Sequence, residues 1–175
     1  MTVHEYTHYL KARPEAAVPG NWEDQRRFPH RPVVRVSFHD ATAYCQWWSD
    51  ATGKAIRLPE DDEWCKVAFE QYRKYPWGDE DPDHDRANYD WRIHRPTPVG
   101  LFPMGAVPLT RIVDMAGNAW EWTKSPFSKR TEEKFVRGGS FNFFARDLRA
   151  AFRYGVEPGG RGDDLGFRCL REVFP

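Results

Sequence analysis

One stretch of this chain spaces its side chains for metal chemistry, and a longer one spaces them for display. His4-Glu-Tyr-Thr-His8 puts two imidazoles one helical turn apart with a carboxylate between them, the pattern by which a helix presents zinc to a hydrolytic water. That chemistry needs a third ligand and a cleft. No suitably spaced histidine follows and Pro14 comes soon after, so the pair is read as part of a short first helix. Between Arg137 and Arg168, a framework of Arg, Gly, Leu, Ala and Pro alternates with positions of no common chemistry: Asn142, Phe143, Phe144, Asp147, Phe152, Tyr154, Gly155, Val156, Gly160, Gly162, Asp163 and Asp164. A fixed scaffold with uneven decoration points to ligand binding more than to catalysis. Cys45, Cys65 and Cys169 are odd in number and lie in apolar or helical contexts, so small buried thiols are expected rather than a disulfide framework.

The framework of residues 137–168 resembles the C-terminal signature of the formylglycine-generating-enzyme (sulfatase-modifying factor) family, whose fold is an elaborated C-type lectin. Four further stretches match that family in order: Pro32 to Trp47, Arg57-Leu-Pro-Glu-Asp-Asp-Glu-Trp64, Tyr75-Pro-Trp-Gly78 with Ala87-Asn-Tyr89, and Asp114-Met-Ala-Gly-Asn-Ala-Trp-Glu-Trp122. The likeness covers nearly the whole chain, lacking only the strand region that usually precedes the first helix, since Val3-His-Glu-Tyr already resembles that helix's start.

The resemblance implies a calcium loop whose matching positions are Asp114, Gly117, Ala119 and Glu121, two carboxylates and two carbonyls of the hard oxygen type calcium prefers. The competing reading is that Asn118 and Glu121 only tie the loop to the backbone. A second calcium site of the family would begin at Asn88 and Tyr89, but the following Asp90-Trp-Arg-Ile-His-Arg95 departs from the family's spacing. The family's oxidase chemistry uses a cysteine pair just after the Arg-Gly-Gly-Ser turn to bind copper(I). Here Phe141 to Leu148 contains no cysteine, so no copper and no formylglycine generation are expected. Relatives of the ergothioneine type hold iron through an additional helical domain that this sequence does not contain. Other lectin-like members are diversified by retroelements that mutate adenines in asparagine codons. Phe, Tyr, Val, Gly, Asp and Asn are all reachable from such codons, and these types fill the decorated positions.

The rest of the composition narrows the field. At 175 residues the chain suits one domain, 1–175, with a core that needs no staples. With 26 basic and 26 acidic residues the formal charge is zero, so no overall field favours nucleic acid or a bilayer. No apolar run approaches the roughly 20 residues of a membrane span, and no basic-then-apolar leader is seen at the start; a cytoplasmic protein, or one whose leader has been removed, is the default expectation. Fourteen prolines, 13 glycines and eight tryptophans suggest much irregular chain pinned by large rings.

These sites must be carried by few regular elements. A helix over residues 4–11 turns Tyr6, Tyr9 and Leu10 inward, and a loop held by Trp22 and Phe28 leads to a strand over residues 33–38. Asp40 then caps a helix burying Tyr44, Trp47, Trp48 and Ala51 and stopped by Gly53. Another helix starts near Pro59, with Glu60-Asp-Asp at its positive dipole end and Trp64, Val67 and Ala68 inward. Residues 75–111 read as ordered loop with short strands, packing Trp77, Tyr89, Trp91 and Phe102. Strands are expected at 112–122, 134–136, 148–153 and 166–170, forming a small twisted antiparallel sheet. The expected class is therefore α+β, C-type-lectin-like, of the formylglycine-generating-enzyme type. The expected function is non-catalytic recognition of a protein or other macromolecule through a variable face, with Arg146, Arg149, Arg153 and Arg168 as framework. Binding to one fixed partner, or an oxidoreductase with an unrecognised metal, are the alternatives.

Overall fold

The computed structural model describes residues 1–69 and 72–173. Helix α1 (Val3–Ala12) starts where Thr2 and Glu5 form a reciprocal capping box, which satisfies the first free amides. Helix α2 (Trp22–Gln25) is a single turn within the following loop. Residues 33–37 join no ladder and bend at Arg35, whose φ is 59°, so the strand expected there is absent. Its apolar residues are buried all the same, because Val33 and Val36 pack straight into the core. Helix α3 (Phe38–Thr52) is capped by Ser37, with Asp40 as the reciprocal partner rather than the cap, and Gly53 ends it in the left-handed conformation at φ 66°. It buries Ala41, Tyr44 and Cys45; Trp47 and Trp48 are half-buried, and Ala51 faces solvent. Helix α4 (Asp61–Ala68) begins after a Glu60/Glu63 capping box and buries Trp64 and Ala68.

Strand β1 (Ile56–Arg57) pairs antiparallel with β6 (Leu170–Arg171). The main sheet has the order β4–β3–β2–β5, built from β2 (Trp120–Pro126), β3 (Lys134–Arg137), β4 (Arg153–Val156) and β5 (Leu165–Phe167). Its β2–β3 and β3–β4 pairs are antiparallel, while β5 runs parallel to β2. Two expected boundaries move. Residues 112–119 are loop, and 145–148 form a 3₁₀ turn that leaves only Arg153 onward for β4. Residues 75–111 contain one isolated bridge, Tyr75 to Gly78, rather than strands.

The main core lies between α1, α3 and the sheet. Tyr6 stacks on Tyr44 at 5.5 Å, Tyr44 meets Phe167 edge-on at 5.4 Å, and Trp122 is wholly buried. Two smaller clusters continue it under the loops, one around Tyr75, Trp77, Tyr89 and Leu148, the other around Trp64, Val107, Met115 and Ala150. Rings of this size buried in place of water anchor chain that has few ladder hydrogen bonds of its own. Among the described residues, no helix is long and apolar enough to cross a membrane.

Candidate functional site

Sheet edge and loop together place the decorated segment. β4 is an edge strand, so Tyr154 stands opposite the buried Val136 with no further strand beyond it. Trp120 on β2, itself 4 % exposed, collects three of the decorated rings: Phe143 edge-on at 5.1 Å, Phe152 at 6.0 Å and Tyr154 at 6.4 Å. Phe143 and Phe152 are thereby half-buried, whereas Phe144 and Tyr154 keep 53 % and 55 % of their surface in solvent. Asp163 is exposed, with Arg35 at 3.6 Å, and Asn142 and Val156 are half-buried.

Not every decorated position is displayed. Asp147 is buried, and its Oδ2 accepts the Phe144 amide at the start of the 3₁₀ turn. Asp164 is buried too; its Oδ2 accepts the Ser140 hydroxyl at 2.6 Å, and burial raises its carboxyl pKa. Both were expected on the face. They are inward because a short carboxylate is the acceptor nearest to amides and hydroxyls that the loop cannot satisfy internally. Three glycines are also crowded: a Cβ on Gly155 would lie 2.7 Å from the Phe127 ring, one on Gly160 2.7 Å from Val156, and one on Gly162 2.9 Å from the Asp164 carboxylate. Leu148, Ala150 and Phe167 point inward as expected.

The arginine that fastens this segment is Arg137, which opens the framework but is not among the arginines singled out from the sequence. It is 2 % exposed, pairs with Asp61 at 2.5 and 2.7 Å, and donates to the carbonyl of Phe152 at 2.9 Å. Arg146, Arg149 and Arg153, expected as framework, are instead exposed; Arg146 lies over the Phe144 ring at 5.3 Å. Trp91, expected to be packed, is 49 % exposed. It sits beside the display loop because the amides of Asp90 and Trp91 donate to the carbonyls of Phe143 and Phe141, and both residues take positive φ to do so. Two adjacent non-glycine residues in that region are costly and signal a tertiary constraint. The sequence offers no local pattern that would reveal it.

The Asp114–Glu121 loop is tied from within. Glu121 accepts Arg168 Nε and Nη2 at 2.6 and 2.7 Å and the Trp64 indole N–H at 2.7 Å. The same guanidinium donates to the carbonyl of Asp114 at 3.0 Å. Asp114 Oδ2 accepts the Gly100 amide, and burial raises its pKa. Gly117 turns the chain at φ 74°, where a Cβ would sit 2.5 Å from the Asn88 carbonyl, and its own carbonyl accepts the Ala119 amide. In this arrangement a guanidinium supplies the positive charge at both Glu121 oxygens. At the second position Asn88 is 1 % exposed, donates to the Arg95 carbonyl, and has a buried Oδ1 without a donor; Tyr89 donates to the Pro82 carbonyl. No group of three or more His, Cys, Asp or Glu suited to a metal occurs among the described residues.

His4 and His8 lie exposed on α1, with their Nε2 atoms 3.3 Å apart. The thiols lie elsewhere than the display loop: Cys45 on α3 and Cys169 after β5 approach to 3.4 Å between sulfurs, a proximity that their sequence separation concealed. Cys65 is half-buried on α4.

The architecture is mixed α+β, with helices and long ordered loops around a small sheet, as in C-type-lectin-like proteins of the formylglycine-generating-enzyme type. The chain belongs to the sulfatase-modifying-factor family: the Sulfatase-modifying factor enzyme 1-like domain matches residues 1–173. Hercynine oxygenase of Mycobacterium tuberculosis is 34% identical over 164 residues, covering 81% of this chain and 37% of that protein. The inactive C-alpha-formylglycine-generating enzyme 2 of Bos taurus is 34% identical over 160 residues, covering 79% and 49%. The chain thus spans half or less of the length of these curated relatives. Among solved structures, PvdO from Pseudomonas aeruginosa superposes with TM-score 0.84 at 25% identity, covering 98% of this chain and 77% of the other. Treponema denticola variable protein 1 superposes with TM-score 0.66 at 19% identity, covering 88% and 74%, a likeness of fold alone. Membership by itself does not decide between catalysis and binding.

Proposed function

We propose that this chain is a non-catalytic member of its family that recognises a protein or other macromolecule through the face built on residues 142–164. The observation that carries this reading is that two rings of the segment are more than half exposed: Tyr154, 6.4 Å from the buried Trp120, and Phe144, the chain neighbour of Phe143, which meets the same Trp120. Half-buried Phe143 and Phe152 stiffen that surface, and Asn142, Val156 and Asp163 are the further decorated side chains that reach solvent. Rigid rings held in water are the usual anchors of binding surfaces, with short polar residues supplying adaptable hydrogen bonds. The decorated residue types suit diversification from asparagine codons. Buried Asp147 and Asp164 and the crowded glycines restrict its useful part to the exposed and half-exposed side chains. The absence of cysteine from Phe141 to Leu148 argues against the oxidase chemistry. In place of calcium, Arg168 is proposed to hold the Asp114–Glu121 loop closed.

The test compares wild type with the Phe144→Ala/Tyr154→Ala double variant on an array of proteins from the source organism and its surroundings. Saturable binding that the variant loses, at a melting temperature within about 1–2 °C of wild type, supports the face. Equal binding by both proteins, or unfolding of the variant, overturns it. A neighbouring reverse transcriptase gene with a near-copy of the 3′ coding repeat would identify diversification as the origin of the decoration.

A further inference from the structure

A cleft of about 450 Å³ opens beside the decorated segment, between residues 21–35 on one side and His94, Arg95 and Pro96 on the other, with Phe141 and Asp163 among its lining. This volume falls within the range of small-molecule sites. Its chemistry is one-sided: four arginines, Arg27, Arg31, Arg35 and Arg95, and His94 face two aspartates, Asp24 and Asp163. The aspartates are already engaged, Asp24 with Arg27 at 3.8 Å and Asp163 with Arg35 at 3.6 Å. Arg31 and Arg95 remain: the Arg31 Nε–H is buried without an acceptor, and Asp24, the carboxylate that acts on Arg31, is shared with Arg27.

Arg31 is held in place by Phe28, with the guanidinium 3.7 Å from the ring centroid. Its Nε–H is buried without an acceptor. Loss of hydration, and then the neighbouring charge of Arg95, lower its pKa from the usual value, opposed in part by Asp24. Arg31 and Arg95 line the same cleft, and a buried donor left without an acceptor there is costly to the fold unless something else supplies one. Arg95 is positioned from behind, because Asn88 donates to its carbonyl at 2.9 Å. An oxyanion bound there would accept the orphaned Nε–H and balance the positive charge, and the planar fork of arginine matches carboxylate and phosphate geometry.

We propose that this cleft binds the carboxylate or phosphate group of a ligand through Arg31 and Arg95. His94 and Arg35 line its walls, and Trp91, 6.2 Å from His94 and 6.3 Å from Phe141 by ring centroids, offers an apolar surface at the rim. Asp163 belongs to both surfaces, but neither Phe144 nor Tyr154 lines the cleft, so the variants that test the aromatic face leave its arginines in place.

The experiment titrates the protein with inorganic phosphate, with acetate, and with a short phosphoserine peptide, against chloride at matched ionic strength, by calorimetry and backbone amide shifts. Saturable binding of an oxyanion is expected, with shifts confined to residues 27–35 and 94–96. Arg31→Gln and Arg95→Gln should each weaken it about tenfold or more, whereas Arg130→Gln, an exposed residue outside the cleft, should not. Arg95→Gln tests the site even if Arg31→Gln fails to fold. Binding of phosphate or acetate alone assigns the cleft to a small anion; tighter binding of the peptide assigns it to an acidic segment of a larger partner. Responses no larger than those to chloride, or unchanged affinity in Arg95→Gln, overturn the proposal.

Discussion

Glu121→Ala separates an ion-paired loop from a calcium loop. In wild type the Glu121 carboxylate accepts two bonds from Arg168 and one from Trp64, with side-chain exposures of 11% and 26% for the ion pair. Removing one partner of a buried pair costs roughly 3–5 kcal/mol, because the other charge loses its compensation. Arg168 retains bonds to the carbonyls of Val113 and Asp114 and has some access to water, which puts the expectation near the lower end, about 3 kcal/mol. At roughly 2–4 °C per kcal/mol for a chain of this size, the melting temperature should fall by roughly 6–12 °C. The measurement is thermal unfolding of wild type, Glu121→Ala, Arg168→Gln and the double variant, each with added calcium and with a chelator. Wild type should ignore the chelator, and the two single losses should exceed their combined effect, since they remove one shared interaction. A chelator-induced drop of several degrees in wild type that disappears in Glu121→Ala would refute the reasoning. So would a Glu121→Ala shift below about 2 °C, which lies within the range of ordinary surface substitutions.

Supplied with copper, the protein should yield no formylglycine from a sulfatase-type cysteine peptide; detectable product by mass spectrometry returns it to the oxidases. Cys45 and Cys169, 3.4 Å apart between sulfurs, should form an intramolecular disulfide when oxidised glutathione is reduced to two thiols. Formation should be slow because the mutual hydrogen bond and burial raise the Cys45 pKa; the bridge should raise the melting temperature, and a protein still carrying both thiols after prolonged incubation contradicts this. Arg57 holds the Glu63 pKa down to about 2 from 4.5, so Glu63 contributes stability that is present above pH 4.5 and lost as pH falls toward 2. Glu63→Gln should therefore flatten the acid dependence of the melting temperature in that window, and an unchanged slope rules the contribution out.

The sequence by itself determined the family, the fold class, the capped helices and the segment that carries the decoration. Those readings depend on local chemistry: Asp40 falls where free helix amides need an acceptor, though Ser37 proved to be the cap, Gly53 falls where φ must be positive, and the framework of residues 137–168 keeps its register whatever lies between. Tertiary structure decided which decorated side chains reach solvent. Phe144 and Phe143 are adjacent and alike, yet only Phe143 meets Trp120 edge-on; Asp147 and Asp163 are equally short acids, yet only Asp147 has an unsatisfied amide within reach. The same holds for Arg137, whose partners Asp61 and Phe152 lie on separate elements, and for Trp91, placed by carbonyls about fifty residues away. The sulfurs of Cys45 and Cys169, and the charges of Arg31 and Arg95, become neighbours only through folding. Burial, repulsion and hydrogen-bond satisfaction are properties of surroundings, and the chain acquires those surroundings only when distant segments meet.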